Sequence, residues 1–315
     1  MAAATLAASL LLTVCRLFTP STRVLVMATA FVPFALVGYA VAAGACWAFR
    51  SLGAAGRLRT LGSAALAVSV LGLVLHAALL VPSYVGSHAS GRPDLVVMTS
   101  NLRLGQGDMA AVGHVAVAQD VDVLVLEEVT ASAAASMLGL QRRFPYSAGQ
   151  AAPGAFGTVV FSRWPLAQVS QLPVSKGGWQ MRVQSPHPFW LVALHTSQPL
   201  VDFPKWKSDH AALRAALSKL QGPVVAAGDF NATLDHRPMR DLLGLGFSDA
   251  ARQANAGWQP TWPGAGDADG ALPFGLHVLT LDHVLVSGQL STVSTSTYAI
   301  PRSDHRALVA RLALR

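Results

Sequence analysis

Cysteine is nearly absent from this chain. Cys15 and Cys46 are the two in 315 residues, and both lie in apolar stretches. Residues 91–315 have none, which excludes a disulfide framework and a thiolate zinc site there. Charge is scarce as well: Asp, Glu, Lys and Arg make up 12% of residues, against roughly 25% in an ordinary soluble domain. The shortage is local. Residues 1–90 carry five Arg (Arg16, Arg23, Arg50, Arg57, Arg59), no Lys and no acid. Residues 91–315 carry 18 basic and 16 acidic side chains, so only +2 of the formal +7 belongs to them. The pI near 10 therefore reports Arg flanking apolar segments. A region at +2 lacks the basic footprint of a protein that grips a nucleic-acid backbone, and nucleic acid is not the expected partner.

What the first 82 residues do have is long apolar runs. Ala2 to Cys15, continued through Leu17-Phe18, is short of the ~20 residues a span needs. It reads as a first helix over about 2–18, a signal-like segment, or a helix shortened by a misassigned start. Val24–Phe49 and Thr60–Pro82 run 26 and 23 residues without a charged side chain. They predict transmembrane helices over 24–49 and 60–82, hence a multi-pass cell-membrane protein. Loop 50–59 holds three Arg and loop 16–23 two. The positive-inside rule leans toward a cytoplasmic loop 50–59 and an extracytoplasmic C-terminal domain, although Arg92 brings the count close to parity. Residues 83–93, rich in Ser, Gly and Pro, read as a linker.

From residue 94 to 315 the pattern is α/β. Strands are expected at Leu95–Asn101, Val121–Leu126, Gly157–Ser162, Trp190–Leu194, Val224–Ala227, Leu281–Val286 and Ala307–Arg311. Helices are expected at Asp108–Gln119, Ser132–Leu140, Lys207–Leu220 and Met239–Leu243. Such alternation suits two packed sheets covered by helices.

Chemistry-bearing residues recur at the ends of these strands. Val225–Asn231 (VAAGDFN) closes an apolar run with a carboxylate and a carboxamide. Alternation turns Asp229 and Asn231 one way and Phe230 the other. Asn101 ends LVVMTSN, Glu127-Glu128 end VLVLEE, and His195 ends WLVALH. Asp282 lies in LTLDHVLV, and Ser303-Asp304-His305 precede the last apolar strand. Each has an ordinary reading alone. Asn101 suits a turn, Glu127 or Glu128 a helix N-terminus, His195 a core histidine, and Asp304-His305 a solvated turn.

Taken in order (N, E, H, DxN, D, SDH), the set resembles the endonuclease/exonuclease/phosphatase superfamily. That superfamily includes DNase I-like nucleases, sphingomyelinases and inositol phosphatases. Gly157–Pro165 (GTVVFSRWP), Gly246–Ala250 (GFSDA) and Thr261-Trp262 support the resemblance, which spans about Leu95 to Leu314. It implies a four-layer α/β/β/α sandwich of the DNase I-like type over 94–315. It also implies a hydrolase with Mg²⁺ (or Mn²⁺) held by Asn101 and Glu128, with Asp304 adding to the metal shell. Asp229 would orient or deprotonate the attacking water and Asn231 would hold a phosphate oxygen. His195 and His305 would contact the scissile phosphate, and Asp282 would orient His305. The residue types suit the task, since Mg²⁺ takes one or two carboxylates and keeps waters. The base is either His305 or Asp229. Two departures stand out: Glu127 where many relatives have Gln, and His283 where Tyr is common.

The plan of three N-terminal helices and such a domain is also similar to actinobacterial membrane phosphohydrolases linked to teicoplanin resistance. That resemblance implies dephosphorylation of a polyprenyl (undecaprenyl) pyrophosphate or a related lipid phosphate. Ser197–Lys207 carries Leu200, Val201, Phe203 and Trp206 beside Lys205 and Lys207, the make-up of an interfacial segment or of a partly packed surface loop. Lys176, Trp179 and Arg182 are candidates for a phosphate entrance. The alternatives are a metal-dependent nuclease, a sphingomyelinase-like phosphodiesterase, and a membrane-bound binding protein without catalysis. Oligomeric state is not legible.

Overall fold

In the computed structural model, residues 2–18, 20–53, 55–86, 89–136, 139, 141–264 and 276–315 are described. The chain divides into two compact units, residues 1–82 with 234–237, and residues 83–233 with 238–315.

The first unit is helical: α1 (Ala2–Phe18), α2 (Arg23–Thr29), α3 (Ala35–Ser51) and α4 (Gly56–Leu80). Where the pattern predicts one helix over 24–49, the structure has two, interrupted by a 3₁₀ turn at Val32–Phe34. Pro33 is the physical reason. It has no N–H to continue the ladder, and its ring disfavours helix in the residue before it. Val32–Ser51 and Gly56–Ser83 are each long and apolar enough to cross a membrane. α1 and α2 qualify only as one span bent by 102°. Thr13 Oγ1 ties the helices together, 2.7 Å from the Tyr39 hydroxyl and 2.9 Å from His76 Nε2. A Cβ at Gly72 would lie 2.4 Å from the Tyr39 ring, so α4 needs glycine there to pack this closely on α3.

The second unit holds two mixed sheets of six strands each among its described residues. The first sheet contains β1 (Leu95–Asn101), β2 (Val123–Glu127), β3 (Tyr146–Gln150), β4 (Thr158–Ser162), β11 (Leu290–Ala299) and β12 (Arg306–Leu314), in the order β11-β12-β1-β2-β4-β3. The second contains β5 (Leu166–Gln171), β6 (Gly178–Val183), β7 (Phe189–His195), β8 (Val224–Asp229), β9 (Ser248–Asp249) and β10 (Asp282–Val286), in the order β5-β6-β7-β8-β10-β9. The connecting helices are α5 (Met109–Ala118), α6 (Ala131–Ser136), α7 (Phe203–Leu217), α8 (Arg237–Leu243) and α9 (Ala250–Gln253). The helix expected over Ser132–Leu140 thus starts one residue earlier, and residues 137, 138 and 140 lie outside the described set.

Alternation builds the layers. Val97, Val123 and Val125 of the first sheet pack with Leu191, Ala193, Val225 and Val284 of the second. Val96, Met98, Leu124 and Leu126 point the other way, onto Val112 and Ala116 of α5. The central strands are buried on both faces, each large side chain contributing ~1.5–3 kcal/mol, and so read as continuous apolar runs. α7 begins at Phe203 rather than Lys207, because Asp202 caps it by accepting from Lys205 N at 3.0 Å and Pro204 occupies the first turn. The arrangement is the expected α/β/β/α sandwich.

Topology sets where chemistry can gather. β1 runs parallel to β2, and β7 parallel to β8, so Asn101 pairs with Glu127 and His195 with Asp229 at the carboxyl ends. β10 runs antiparallel to β8 and pairs Asp282 with Asp229. β12 runs antiparallel to β1, which brings its start, just after Asp304-His305, to the same edge. One end of the sandwich collects all of these residues.

Candidate active site

Three positions at this edge have unusual backbone. Gly228 has φ +147°, and a Cβ on it would lie 1.9 Å from the Leu194 carbonyl oxygen. Only glycine lets β8 approach β7 closely enough to set Asp229 beside His195. Glu128 and Asn231 adopt positive φ (57° and 46°). Left-handed residues outside glycine are strained and gather at functional sites. The strain turns both side chains inward, off the strand direction.

Asp229 is fully buried at the centre. Its Oδ1 accepts from Asn231 N at 2.8 Å, closing an Asx turn, and its Oδ2 accepts from Asn101 Nδ2 at 3.1 Å and Asn231 Nδ2 at 3.2 Å. Asn231 Nδ2 also donates to the Thr196 carbonyl at 3.0 Å, and Phe230 turns away to meet the His283 ring edge-on. His305 Nδ1 lies 2.8 Å from Asp282 Oδ2, while His305 Nε2 faces Asp229 Oδ2 at 3.8 Å. His195 Nε2 sits 3.5 Å from Asp229 Oδ2 and 3.8 Å from Glu128 Oε1. Glu128 Oε2 accepts from Leu104 N at 2.6 Å, and Asn101 Nδ2 reaches Glu128 Oε1 at 3.4 Å. Asp304 is half-buried beside His305, its carboxylate free of hydrogen bonds and ion pairs among the described residues. Seven of the eight expected residues thus touch one another, and Asp304 stands at their rim.

Charge is poised here. Burial raises the Asp229 carboxyl to about 7, with His305 working against it and Asp282 with it. Burial pulls His305 down, but the charges of Asp282 and Asp229 and the hydrogen bond to Asp282 win and lift it to about 10. His195 is held well below its ordinary range by burial first, then by the charges of Lys176 and His305. At neutral pH the site therefore offers an imidazolium at His305, a neutral imidazole at His195 and a carboxyl near its midpoint at Asp229.

Glu127 shows what its departure from Gln costs. It is fully buried, accepts the Thr99 hydroxyl at 2.6 Å, and its Oε2 has no partner. Burial, and then the charge of Asp282, raise its carboxyl well above the ordinary range. Burial thus drives Glu127 toward the neutral acid, which has the shape of Gln.

A divalent ion fits the donors. Glu128, Asp229 and Asp282 are buried carboxylates with His305 as the buried cation among them, which leaves net negative charge away from water. Glu128 Oε1 has only contacts of 3.4 and 3.8 Å. Asn101 Oδ1 accepts from Arg103 N at 2.9 Å and keeps a second lone pair. These are hard oxygen donors. Asp229, Asp282 and His305 also bring ligand atoms within 4.8 Å of one another, but Asp282 and His305 are already hydrogen-bonded to each other.

Several supports were not legible beforehand. The Ser303 hydroxyl donates to the Asn101 carbonyl at 2.7 Å and accepts from His305 N at 3.0 Å, pinning the Ser-Asp-His turn to β1. Thr261 Oγ1 accepts from Leu281 N and Asp282 N. Asp209, inside α7, is buried and accepts from Ser175 N, Ser175 Oγ and Ser197 N. In sequence it passes for an ordinary helix charge. Trp206, a candidate interfacial side chain, instead turns inward; its indole N–H donates to the Asn231 carbonyl at 3.0 Å. Arg182 stacks on the Trp190 ring and Trp179 packs on the core, so neither reads as part of a phosphate entrance.

Comparison with known proteins agrees with this geometry. Among solved structures, an endonuclease/exonuclease/phosphatase protein from Beutenbergia cavernae is 22% identical over 71% of this chain and 72% of its own, with a TM-score of 0.55. TDP2 of D. rerio, solved with a single-strand DNA product, reaches 0.58 at 11% identity over 69% of this chain and 98% of its own. The 3'-5' exonuclease NExo of Neisseria meningitidis reaches 0.54 at 19% identity over 70% of this chain and 100% of its own. At these identities the likeness is one of fold. No curated protein matches the sequence. The family match itself covers residues 98–305, from the second half of β1 to His305, and so takes in every residue of the site. A buried His–carboxylate pair and oxygen donors at the strand ends of that match suit a phosphoester hydrolase, and the chain belongs to the Endonuclease/Exonuclease/phosphatase family, whose members are generally metal-dependent.

Proposed function

We propose that this chain is a membrane-anchored, Mg²⁺-dependent phosphohydrolase. Its substrate is a lipid with a diphosphate head group, undecaprenyl pyrophosphate being the instance the sequence resemblance implies. The observation that carries the lipid reading is the union, in one chain, of this hydrolytic site with two helices of membrane-crossing length. Loops at the site-bearing edge add support, since they expose large apolar side chains: Leu104 after β1, Phe156 before β4, and Leu200 and Val201 after β7. An apolar collar around a polar hole suits a phosphate carried on a hydrocarbon.

Glu128 and Asn101 would hold the ion, with Asp304 within reach of its shell; it would withdraw charge from the phosphate oxygens. Asp229, titrating near neutrality, takes the proton of the attacking water. The water oxygen bonds to the terminal phosphorus, the bridging P–O bond breaks, and its electron pair leaves with the lipid monophosphate. Asn231, the neutral His195 and the imidazolium of His305 stabilise the oxygens that gain charge, and Asp282 holds His305 in orientation. Inorganic phosphate is the second product. The Arg-rich loop 50–59 leans toward a cytoplasmic position, leaving the catalytic unit outside.

The test is turnover by the detergent-purified chain, with undecaprenyl pyrophosphate and duplex DNA in parallel. Mg²⁺-dependent phosphate release, lost with chelator and in Asp229→Ala, is the expected outcome. DNA nicking without lipid turnover overturns the reading in favour of a nuclease.

A further inference from the structure

One cation of the catalytic unit is placed at the site without a partner. Lys176 is half-buried on the loop between β5 and β6, and among the described residues its ammonium makes no hydrogen bond or ion pair. Most other cations are engaged elsewhere. Arg143 and Arg163 pair with Asp120 and Asp122, Lys207 lies over the Phe203 ring, and Arg311 binds Gln119.

Both neighbours of Lys176 are clamped beside His195. On one side, Ser175 gives its N–H (2.9 Å) and hydroxyl (2.5 Å) to the buried carboxylate of Asp209. The same carboxylate accepts from Ser197 N at 2.7 Å, two residues past His195. On the other side, the Gly177 carbonyl accepts from His195 N at 2.7 Å. Gly177 has φ +136°, and a Cβ there would lie 2.3 Å from Thr158 Oγ1, so the loop packs closely against β4. The charge of Lys176 is felt at the centre, where it acts on both His195 and Asp229. A fixed cation beside a hole already furnished with Asn231, His195, His305 and a metal site exceeds what one phosphate needs.

We infer that Lys176 is a specificity residue that binds the second phosphate of the substrate, the one that stays on the lipid when the terminal phosphate is removed. This makes the site selective for diphosphates over lone phosphoesters. It rests on the proposed diphosphate substrate. Asp209 is the positioning residue that presents Lys176.

Equilibrium binding to the full chain in detergent with Mg²⁺ tests this without turnover, using inorganic pyrophosphate and inorganic phosphate as probes. Lys176→Met should weaken pyrophosphate at least about tenfold and leave phosphate within about twofold, the size of one lost charge-assisted contact. Lys176→Arg should restore most of it. Turnover follows the same split: Lys176→Met should slow diphosphate-lipid hydrolysis at least about tenfold more than it slows hydrolysis of p-nitrophenyl phosphate. Equal losses on both probes, or no loss on either, overturn the inference. Pyrophosphate selectivity through Lys176 in a protein that does not hydrolyse the lipid would retain the inference and sink the proposed substrate. If Lys176→Met does not fold, Lys176→Gln carries the same comparison.

Discussion

Asp229 and His305 face each other and are both buried, and burial acts on them in opposite senses. It favours the neutral carboxyl and the neutral imidazole, yet each also feels the other's charge. The carboxyl ends near 7 and the imidazole near 10. The proposed mechanism needs Asp229 without its proton and His305 with one. The rate should therefore rise with pH as Asp229 ionises, with an acid limb no higher than about 7, and fall as His305 deprotonates toward about 10. Asp282→Asn removes the larger of the charges that raise His305. Its alkaline limb should move to lower pH, with kcat reduced by roughly 10²–10⁴. A pH–rate profile in which Asp282→Asn leaves the alkaline limb in place would refute this assignment. Glu127 gives the complementary case. A protonated carboxyl, the form that burial favours at Glu127, is close in shape to Gln, and both can accept the Thr99 hydroxyl. Glu127→Gln should keep kcat within about threefold and stability within ~1 kcal/mol, the effect of an isosteric change without a lost hydrogen bond. A large loss in either would mean that the carboxyl itself is used. The site residues were legible as an ordered set, because they end, interrupt or open apolar runs; singly, each had an ordinary reading. Their supports were not: Asp209 and Thr261 sit in segments whose pattern gives no sign of what they bond.

At the scale of elements, turns rather than strands aim the chemistry. The closest tolerance is at Gly228, where the β8 backbone passes the Leu194 carbonyl of β7. Gly228→Ala forces these paired central strands apart at the register His195 with Asp229. It should cost at least ~2–3 kcal/mol, from strain at positive φ and lost ladder bonds, and should reduce kcat along with stability. Thermal unfolding of the detergent-solubilised chain checks it; an unchanged midpoint would show that the strands can part freely. The same strands explain what sequence reading could reach. β1, β2, β7, β8 and β10 are buried on both faces and stand out as apolar runs. β3, β5, β6 and β11 escape notice: they mix exposed and buried positions, and the Ser/Thr-rich β11 carries few large apolar side chains. The single helix expected over 24–49 fails for a related reason. Hydropathy counts apolar side chains, and Pro33 disturbs the backbone without lowering that count.

The molecule as a whole keeps its polar chemistry and its apolar mass in different stretches of sequence. A hydrolase that stays with the membrane meets a lipid substrate in two dimensions, so its working concentration is the mole fraction of lipid in the surface rather than the amount per volume. In mixed micelles, raising detergent at fixed total lipid dilutes that fraction. Turnover of a diphosphate lipid should then fall roughly in proportion to the fraction, because the apolar helices, Val32–Ser51 and Gly56–Ser83, hold the enzyme in the same micelle. Hydrolysis of p-nitrophenyl phosphate reaches the site from water and should hold constant across the same series. That internal control separates surface dilution from detergent inhibition, which would lower both. Lipid turnover independent of detergent, with the soluble ester unaffected, would mean that the substrate is drawn from solution, and that the helices serve only to place the enzyme in a membrane.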